Sequence, residues 1–493
     1  MTFEEFKKYS ESFNIIPVFE RITGDLLTPV LAYLKIRDKN KNCFLLESVE
    51  GIGRLARYSF IGKSPSKIFF NQGYNVTTFA NGESVQTTIN FFDYLQNEIK
   101  NYNSPKIEGL PDFTGGIVGF LGYENISGIE DVIKFTGKHP LGTPDSIFGI
   151  YNNVIAFDHY KHQLIIISNV HLDPSKNLES QYVLARNIIQ EIHNDLNKST
   201  EYKSDFKITI ENSSDFNPAD YTRGVEACKR NIFEGDVFQI VLSQRFHADY
   251  SGDLLNVYRA LRIINPSPYM YFLELENDFT IIGTSPEDLL KVNNRKAAIL
   301  PIAGTRRRGR TAEEDIKLEE ELINDPKEIA EHVMLVDLAR NDLGRICEFD
   351  SVKVVEEMNI HRFSHVMHIV SRVEGKLEKG NDCIDALKAS FPAGTVTGAP
   401  KIRAIQLLND YEKLIRNVYA GAVGYIDFKG NLDMCIAIRT LFAKGNKIYW
   451  QAGAGIVADS QPELELKEIK NKSAVLQSAL KYAEVIDEDI SDR

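Results

Sequence analysis

A chain of 493 residues, 43% hydrophobic and 26% charged, has the make-up of a large globular protein with room for two or three domains. Its net charge of −12 gives no electrostatic ground for nucleic acid or an anionic membrane as partner. Five scattered cysteines (Cys43, Cys228, Cys347, Cys383, Cys435) form no C-x-x-C, which argues for reduced thiols over a disulfide framework or zinc site. The start MTFEEFKKYSESF lacks a basic-then-apolar leader and no apolar run reaches spanning length, so the expected compartment is the cytoplasm.

Up to about residue 200, short β-rich runs alternate with Gly, Pro and Asn punctuation; NCFLLESVE, DFTGGIVGFLGYE and HQLIIISNV read as strands. Gly51-Ile-Gly53-Arg-Leu-Ala56 has the form of a dinucleotide fingerprint, but the aromatic RYSFIGKSP that follows is not a helix. Gly62-Lys63-Ser64 ends like a phosphate loop with Arg57 where the first glycine belongs, and both segments read as turns. A helix is predicted over 182–196. The polar stretch 203–218 is the expected boundary between an N-terminal subdomain, 1–205, and a C-terminal domain, 215–493. Beyond it, DYTRGVEACKRNIFEG reads as a helix stopped by Gly235 and VFQIVLSQRF as a buried strand. GAVGYIDF, MCIAIRTLFA and KIYWQAGAGIV read as strands ahead of a final helix. Clustered antiparallel strands with later helices predict an α+β fold.

Two Glu-x-x-Glu pairs stand out, Glu328/Glu331 in DPKEIAEH and Glu465/Glu468 in QPELELKEIKNK. Residues three apart share a helix face, so each pair can aim two carboxylates at one point. Hard oxygen donors without clustered Cys or His suit Mg²⁺ and leave positions open for an anionic substrate. PAGTVTGAPKIRAIQLL is a Gly-rich loop entering a helix, a candidate anion seat with Thr395 in the loop, Pro400 in the first turn and Lys401 and Arg403 adding charge. His368, on a strand face between Val366 and Val370, is a candidate general base. Glu287, after a strand and a Ser-Pro turn, is a candidate acid. In PIAGTRRRGR, Arg307 and Arg308 read as a solvated loop balanced by the acidic helix that follows. Arg439, inside apolar MCIAIRTLF, requires an anionic partner that a substrate carboxylate can provide. Gly453-Ala454-Gly455 reads as a turn where backbone approaches a ligand.

In the order PIAGTRRRG, DLARNDLGR, SHVMHIVSRV, PAGTVTGAPK, CIAIRT, QAGAGIVADS, these segments resemble the chorismate-utilising enzymes, and within them the anthranilate-forming members, over nearly the whole chain. The resemblance implies two stacked, splayed antiparallel sheets around a central cleft, with helices outside. It implies that Glu331 and Glu468 ligate Mg²⁺ with Glu328 and Glu465 beside them. Gly304, Thr305, Tyr419, Arg439, Gly453, Ala454, Gly455 and Lys472 would hold chorismate. Glu287 would protonate the departing 4-hydroxyl as ammonia adds at C2, and His368 would take the C2 proton as pyruvate leaves; Gln239 and Thr395 complete the catalytic set. Glu47 and Ser48, with Pro268, Tyr269 and Met270, match the family's L-tryptophan inhibitor pocket.

Relatives that activate water carry a lysine where this chain has Gln239, and aminodeoxychorismate synthases carry one at Ala303. With neither present, the implied reaction is amination of chorismate to anthranilate, the first committed step toward tryptophan. Aminodeoxychorismate or isochorismate/salicylate synthesis is the alternative, and a catalytically dead tryptophan-binding regulator is a third reading. Since no glutaminase motif is visible, a separate glutamine amidotransferase subunit is implied as partner in a hetero-oligomer, with no nucleic acid and no membrane.

Overall fold

The computed structural model describes residues 1–38, 42–48, 57–200, 202, 205–214, 217–276, 278–362 and 366–488. These form two antiparallel sheets of twelve strands each. The first runs from Ile15–Thr23 through Gln163–His171, Asn153–Asp158, Tyr58–Lys63 and Cys43–Glu47. It continues through Tyr269–Leu275, Phe279–Ser285, Thr440–Lys444, Lys447–Ile456 and Gln239–Ser251 to Lys207–Ser214, with Gly398–Ala399 beside Gln239. The second runs Ile302–Arg307, Val366–Lys376, Lys296–Ile299, Asp288–Asn293, Leu432–Ile436, Ala422–Asp427. It ends in Gly116–Leu121, Ser146–Tyr151, Lys67–Gln72, Asn75–Ala80 and Glu83–Thr88, with Lys353–Arg362 paired to Val366–Lys376.

Period-two alternation sorts the strand residues between layers. Tyr271, Leu273 and Leu275 enter the core between the sheets, where Phe120, Tyr151 and Val423 of the second sheet meet them. Met270 and Phe272 face the other way, into the core shared with Leu255–Ile264 and Pro462–Val485. A third core lies beneath helices on the outer face of the second sheet. Strands buried on both faces explain why the sequence shows them as nearly unbroken apolar runs. The observed architecture is the expected α+β one of two large antiparallel sheets with helices outside.

Several local expectations change. The helix at 182–196 begins earlier, at Leu178, capped by Asn177, and ends at Asn197. Gly62 and Lys63 close the strand Tyr58–Lys63, and only Ser64 turns; Gly51 to Ala56 lie outside the described residues. The polar stretch 203–218 contains the edge strand Lys207–Ser214, paired with Gln239–Ser251. Both sheets are continuous across it, since Cys43–Glu47 pairs with Tyr269–Leu275 and Gly116–Leu121 with Ala422–Asp427. MCIAIRTLFA is two strands in different sheets, Leu432–Ile436 and Thr440–Lys444, broken at Arg439, whose φ is +48°. Gly453 to Gly455 sit inside the strand Lys447–Ile456, in register with Gln239–Ser251, and form no turn.

At one place the chain passes twice between the sheets. Phe279–Ser285 leads through Pro286 and Glu287 into Asp288–Asn293, and Leu432–Ile436 leads through 437–439 into Thr440–Lys444. The crossovers hold each other: Thr284 N–H donates to Arg439 O (3.2 Å), Ile436 N–H to Glu287 O (3.1 Å) and Ser285 Oγ to Ile436 O (2.7 Å). This hinge places Glu287 and Arg439 side by side.

Candidate active site

Glu287 lies half-buried at the hinge, in a bend between strands. Burial raises its pKa above the ordinary carboxylate value; nearby Arg439, Thr395 and Lys472 oppose that rise, and Glu331 adds to it. The Thr395 hydroxyl is close enough to lower the Glu287 pKa, but short of full hydrogen-bond geometry: Thr395 Oγ1 is buried with no partner among the described residues. Arg439 is solvent-exposed, yet enough protein surrounds it that desolvation lowers its pKa while Glu287 raises it. Arg439 is thus a surface cation partly walled in by its neighbours, Glu287 among them. The left-handed backbone at Arg439 turns its side chain out of the strand direction, so no buried partner inside a strand is needed.

His368 is brought in by the next seam of the second sheet. The ladder between Ile302–Arg307 and Val366–Lys376 slips between Ala303 and Thr305, leaving Gly304 as a bulge at φ +71°. That bulge aims Gly304 O at His368 Nδ1 (3.2 Å), with Thr305 Oγ1 at 3.0 Å. A carbonyl only accepts, so Nδ1 carries the proton and the basic lone pair is on Nε2. Burial lowers the His368 pKa, the Gly304 hydrogen bond opposes this, and Arg439 lowers it further. The imidazole is therefore neutral at pH 7, the form a base needs. A Cβ at residue 304 would meet Leu322 Cδ1 at 3.0 Å and Glu328 Oε2 at 3.2 Å, and the left-handed φ adds strain.

The floor of the cleft is built from missing side chains. A Cβ on Gly453 would stand 2.6 Å from Tyr419 Oη, and one on Gly455 2.5 Å from Gln239 Nε2. Ala454 between them is buried. Lys472 Nζ reaches over to donate to Gly453 O at 3.0 Å. Tyr419 is buried, which pushes its hydroxyl up to about 12, with Arg416 opposing.

Both Glu pairs occupy helices, Pro326–Gly344 and Pro462–Val485. Glu331 is raised by burial first, then by Glu328 and Glu468, with Lys327 and Lys472 opposing. Glu465 is raised by burial and by Glu468, with Ser460 opposing. Two helices thus bring like charges together. Among the described residues no three His, Cys, Asp or Glu side chains converge closely enough to cage a metal. Mg²⁺ needs no cage, because it keeps waters and commonly takes one or two carboxylates plus substrate. Arg306 already holds Glu328 at 2.9 Å and Asp325 at 2.8 Å. Among the described residues Glu468 has only the exposed pair with Lys472, at 2.7 Å. Such pairs contribute about 0–1 kcal/mol, little obstacle to a dication. Glu331 and Glu468 therefore fit Mg²⁺ best.

Other sequence expectations fare differently. Pro400 caps the helix Lys401–Tyr411 rather than sitting in its first turn. Lys401 pairs with Asp342 and Arg403 with Asp236, each at 3.0 Å, so the cations assigned to the anion seat are already neutralised. Arg307 and Arg308 do pair with the acidic helix, at Glu314 (2.5 Å) and Asp315 (2.8 Å), though Arg307 ends a strand rather than lying in a loop.

One residue given no sequence role organises the cleft wall. Fully buried Arg416 pairs with Glu412 (2.7 Å) and donates to Val396 O and Val241 O, both 2.7 Å. It thereby bolts the Thr395 loop to the Gln239 strand, with its guanidinium 5.5 Å from the Tyr419 ring. Breaking such a buried pair typically costs about 3–5 kcal/mol. Nothing in RNVYAGAVG distinguishes this arginine from the chain's other cations.

A separate group forms around the first sheet's seam. Glu47 stands opposite Met270, accepts from Tyr258 Oη and pairs with Arg262 Nε at 3.2 Å. Next to it, Ser48 Oγ is buried with no hydrogen-bond partner among the described residues. Pro268 and Tyr269 are half-buried and Met270 fully buried, with Tyr269 Oη donating to Asp433 at 2.9 Å. The five predicted inhibitor residues thus lie on two adjacent strands and the turns that border them.

The sequence profile described as chorismate binding enzyme matches residues 41–478. An anthranilate synthase component 1 from Acetivibrio thermocellus is 41% identical, covering 98% of each chain. Another from Aquifex aeolicus is 41% identical, covering 99% of each. The crystal structure of anthranilate synthase component I from Streptococcus pneumoniae matches with a TM-score of 0.73 at 37% identity, covering 92% of this chain and 98% of that one. The chain belongs to the chorismate binding enzyme family. Within that family of enzymes it groups with the anthranilate synthase component I proteins.

Proposed function

We propose that this enzyme aminates chorismate at C2 and eliminates pyruvate to give anthranilate, the first committed step toward tryptophan. The observation that carries the reading is the hinge, where Glu287 and Arg439 sit side by side with His368 and Glu331 within electrostatic reach. Arg439, Thr305 and Lys472, with the Gly453–Gly455 floor, would seat the substrate's carboxylates and ring. Glu331 and Glu468 would hold Mg²⁺, which when bound neutralises a substrate carboxylate and withdraws electrons from the ring. Glu287, its pKa raised by burial, would donate a proton to the departing 4-hydroxyl. Neutral His368 then accepts the C2 proton at Nε2 as pyruvate leaves and the ring aromatises.

Gln239 and buried Ala303 stand where water-activating and covalent relatives carry lysine, which favours ammonia as nucleophile. We assign its supply to a separate glutamine amidotransferase subunit, in keeping with the component 1 naming of the relatives. A cytoplasmic location accords with five free, buried cysteines. Among the described residues no helix is long and apolar enough to cross a membrane.

The purified chain with chorismate, Mg²⁺ and an ammonium salt is expected to generate anthranilate fluorescence; unconsumed chorismate would sink the reading. L-Tryptophan is the ligand proposed for the Glu47–Met270 pocket, supported by the buried Ser48 hydroxyl, which has no hydrogen-bond partner among the described residues. Ser48→Phe should keep turnover within about twofold yet abolish tryptophan inhibition, because a ring fills the pocket away from the cleft. Inhibition curves of the two proteins decide it, and superimposable curves would remove Ser48 from the site.

A further inference from the structure

Between the inhibitor pocket and the hinge lies a polar bridge that the mechanism does not use. Tyr269 begins a strand of the first sheet, and its backbone is registered to Ser285, the last residue before the Pro286–Glu287 crossover. Its hydroxyl leaves that sheet and donates to Asp433 Oδ1 in the second, at 2.9 Å. Asp433 Oδ2 takes Lys291 Nζ at 2.7 Å, and these two are direct cross-strand partners. On the same ladder Asp288, the neighbour of Glu287, stands opposite Cys435. Asp288 Oδ1 is buried without a hydrogen-bond partner among the described residues. Both strands that carry Lys291 and Asp433 run directly into the crossovers bearing Glu287 and Arg439.

The Asp433 side chain is only 12% exposed. A buried carboxylate held by one donor from each sheet resists relative movement of those sheets, because losing either donor leaves the charge undercompensated. Met270, one residue from Tyr269, is the strand partner of Glu47 in the inhibitor pocket. A ligand that displaces this strand end therefore pulls on Asp433 as well as on Ser285.

We propose that Asp433 is a positioning residue for Glu287 and Arg439, and that its bond to Tyr269 couples the Glu47–Met270 pocket to the cleft. This rests on the reaction and the inhibitor pocket proposed above. The bridge supplies the differential contact that coupling between two sites requires.

The test uses Asp433→Leu, of similar size but with no acceptor left for the Tyr269 hydroxyl, in the full chain with ammonium salt as nitrogen donor. In the parent enzyme, tryptophan is expected to weaken chorismate binding and chorismate to weaken tryptophan binding by the same factor, about 5–150-fold for typical coupled sites. In Asp433→Leu, each ligand alone should bind within about threefold of the parent by calorimetry, while that mutual factor collapses toward one. The variant's kcat should fall with chorismate KM held. A Tyr269→Phe, Asp433→Leu double variant should lose no more coupling than Asp433→Leu alone, since both remove the same bond. A mutual factor unchanged in Asp433→Leu overturns the proposal even if kcat falls, because lost packing also lowers kcat. A parent chain that forms no anthranilate, or that tryptophan does not inhibit, overturns the underlying reading instead.

Discussion

Replacing His368 by alanine is expected to stop the reaction between its two halves. In the proposed reaction, amination needs Glu287 and a nucleophile, whereas aromatisation needs a group to take the C2 proton. His368→Ala should lower anthranilate formation about 10²–10⁴-fold, the usual worth of a positioned base. Chorismate should still be consumed, and an aminated product that retains its enolpyruvyl group should accumulate, visible by chromatography and mass. Anthranilate at the parent rate would exclude His368 as the base. The neighbours support an effect confined to this step: the ring hangs from Gly304 and Thr305, and its removal leaves the hinge contacts of Glu287 and Arg439 in place.

Glu287→Gln should block the earlier half. An amide keeps the shape of the side chain and cannot donate the proton the leaving hydroxyl needs, so chorismate consumption itself should fall about 10²–10⁴-fold. Chorismate binding should change little. Proton bookkeeping gives a second readout. In the proposed reaction Glu287 works protonated and its pKa is raised, so activity should fade as pH climbs through that raised value. His368 would work neutral and its pKa is lowered, so activity should fade as pH drops through that lowered value. In the parent the two give a bell, and the residual activity of Glu287→Gln should keep the acidic limb and lose the basic one. A basic limb preserved in the variant would assign it to another group.

Much of this was legible in the sequence. The Glu pairs fell on helices because Asp325 and Pro326, and Gln461 and Pro462, mark their starts. Core strands showed as apolar runs because both faces are buried. The hinge was not legible. MCIAIRTLF is apolar on both sides of Arg439 and Thr440, and nothing in composition records a residue with left-handed backbone passing the chain from one sheet to the other. Nor were the partners of Lys401 and Arg403 visible, since Asp342 and Asp236 are 59 and 167 residues away in sequence. A cation beside a glycine-rich loop looks the same whether an anion site or an aspartate claims it. The floor glycines misled for a related reason. Glycine signals space or a turn alike, and only the ladder to Gln239–Ser251 shows that here it means space.

The tautomer of His368 is set by a backbone carbonyl, and that has a bearing on how this enzyme tolerates sequence drift. A carboxylate partner can be lost in a single codon change, whereas Gly304 O survives any exchange of side chains around it. What maintains it is the one-residue slip in the ladder, and that slip depends on a single position free to adopt φ +71°. Ile369 Cδ1 stands 3.2 Å from where a Cβ on residue 304 would lie, so packing from the facing strand also guards that backbone. Heritable variation in the imidazole's tautomer therefore has a narrow door through which to enter, residue 304 with the Thr305 hydroxyl beside it at 3.0 Å.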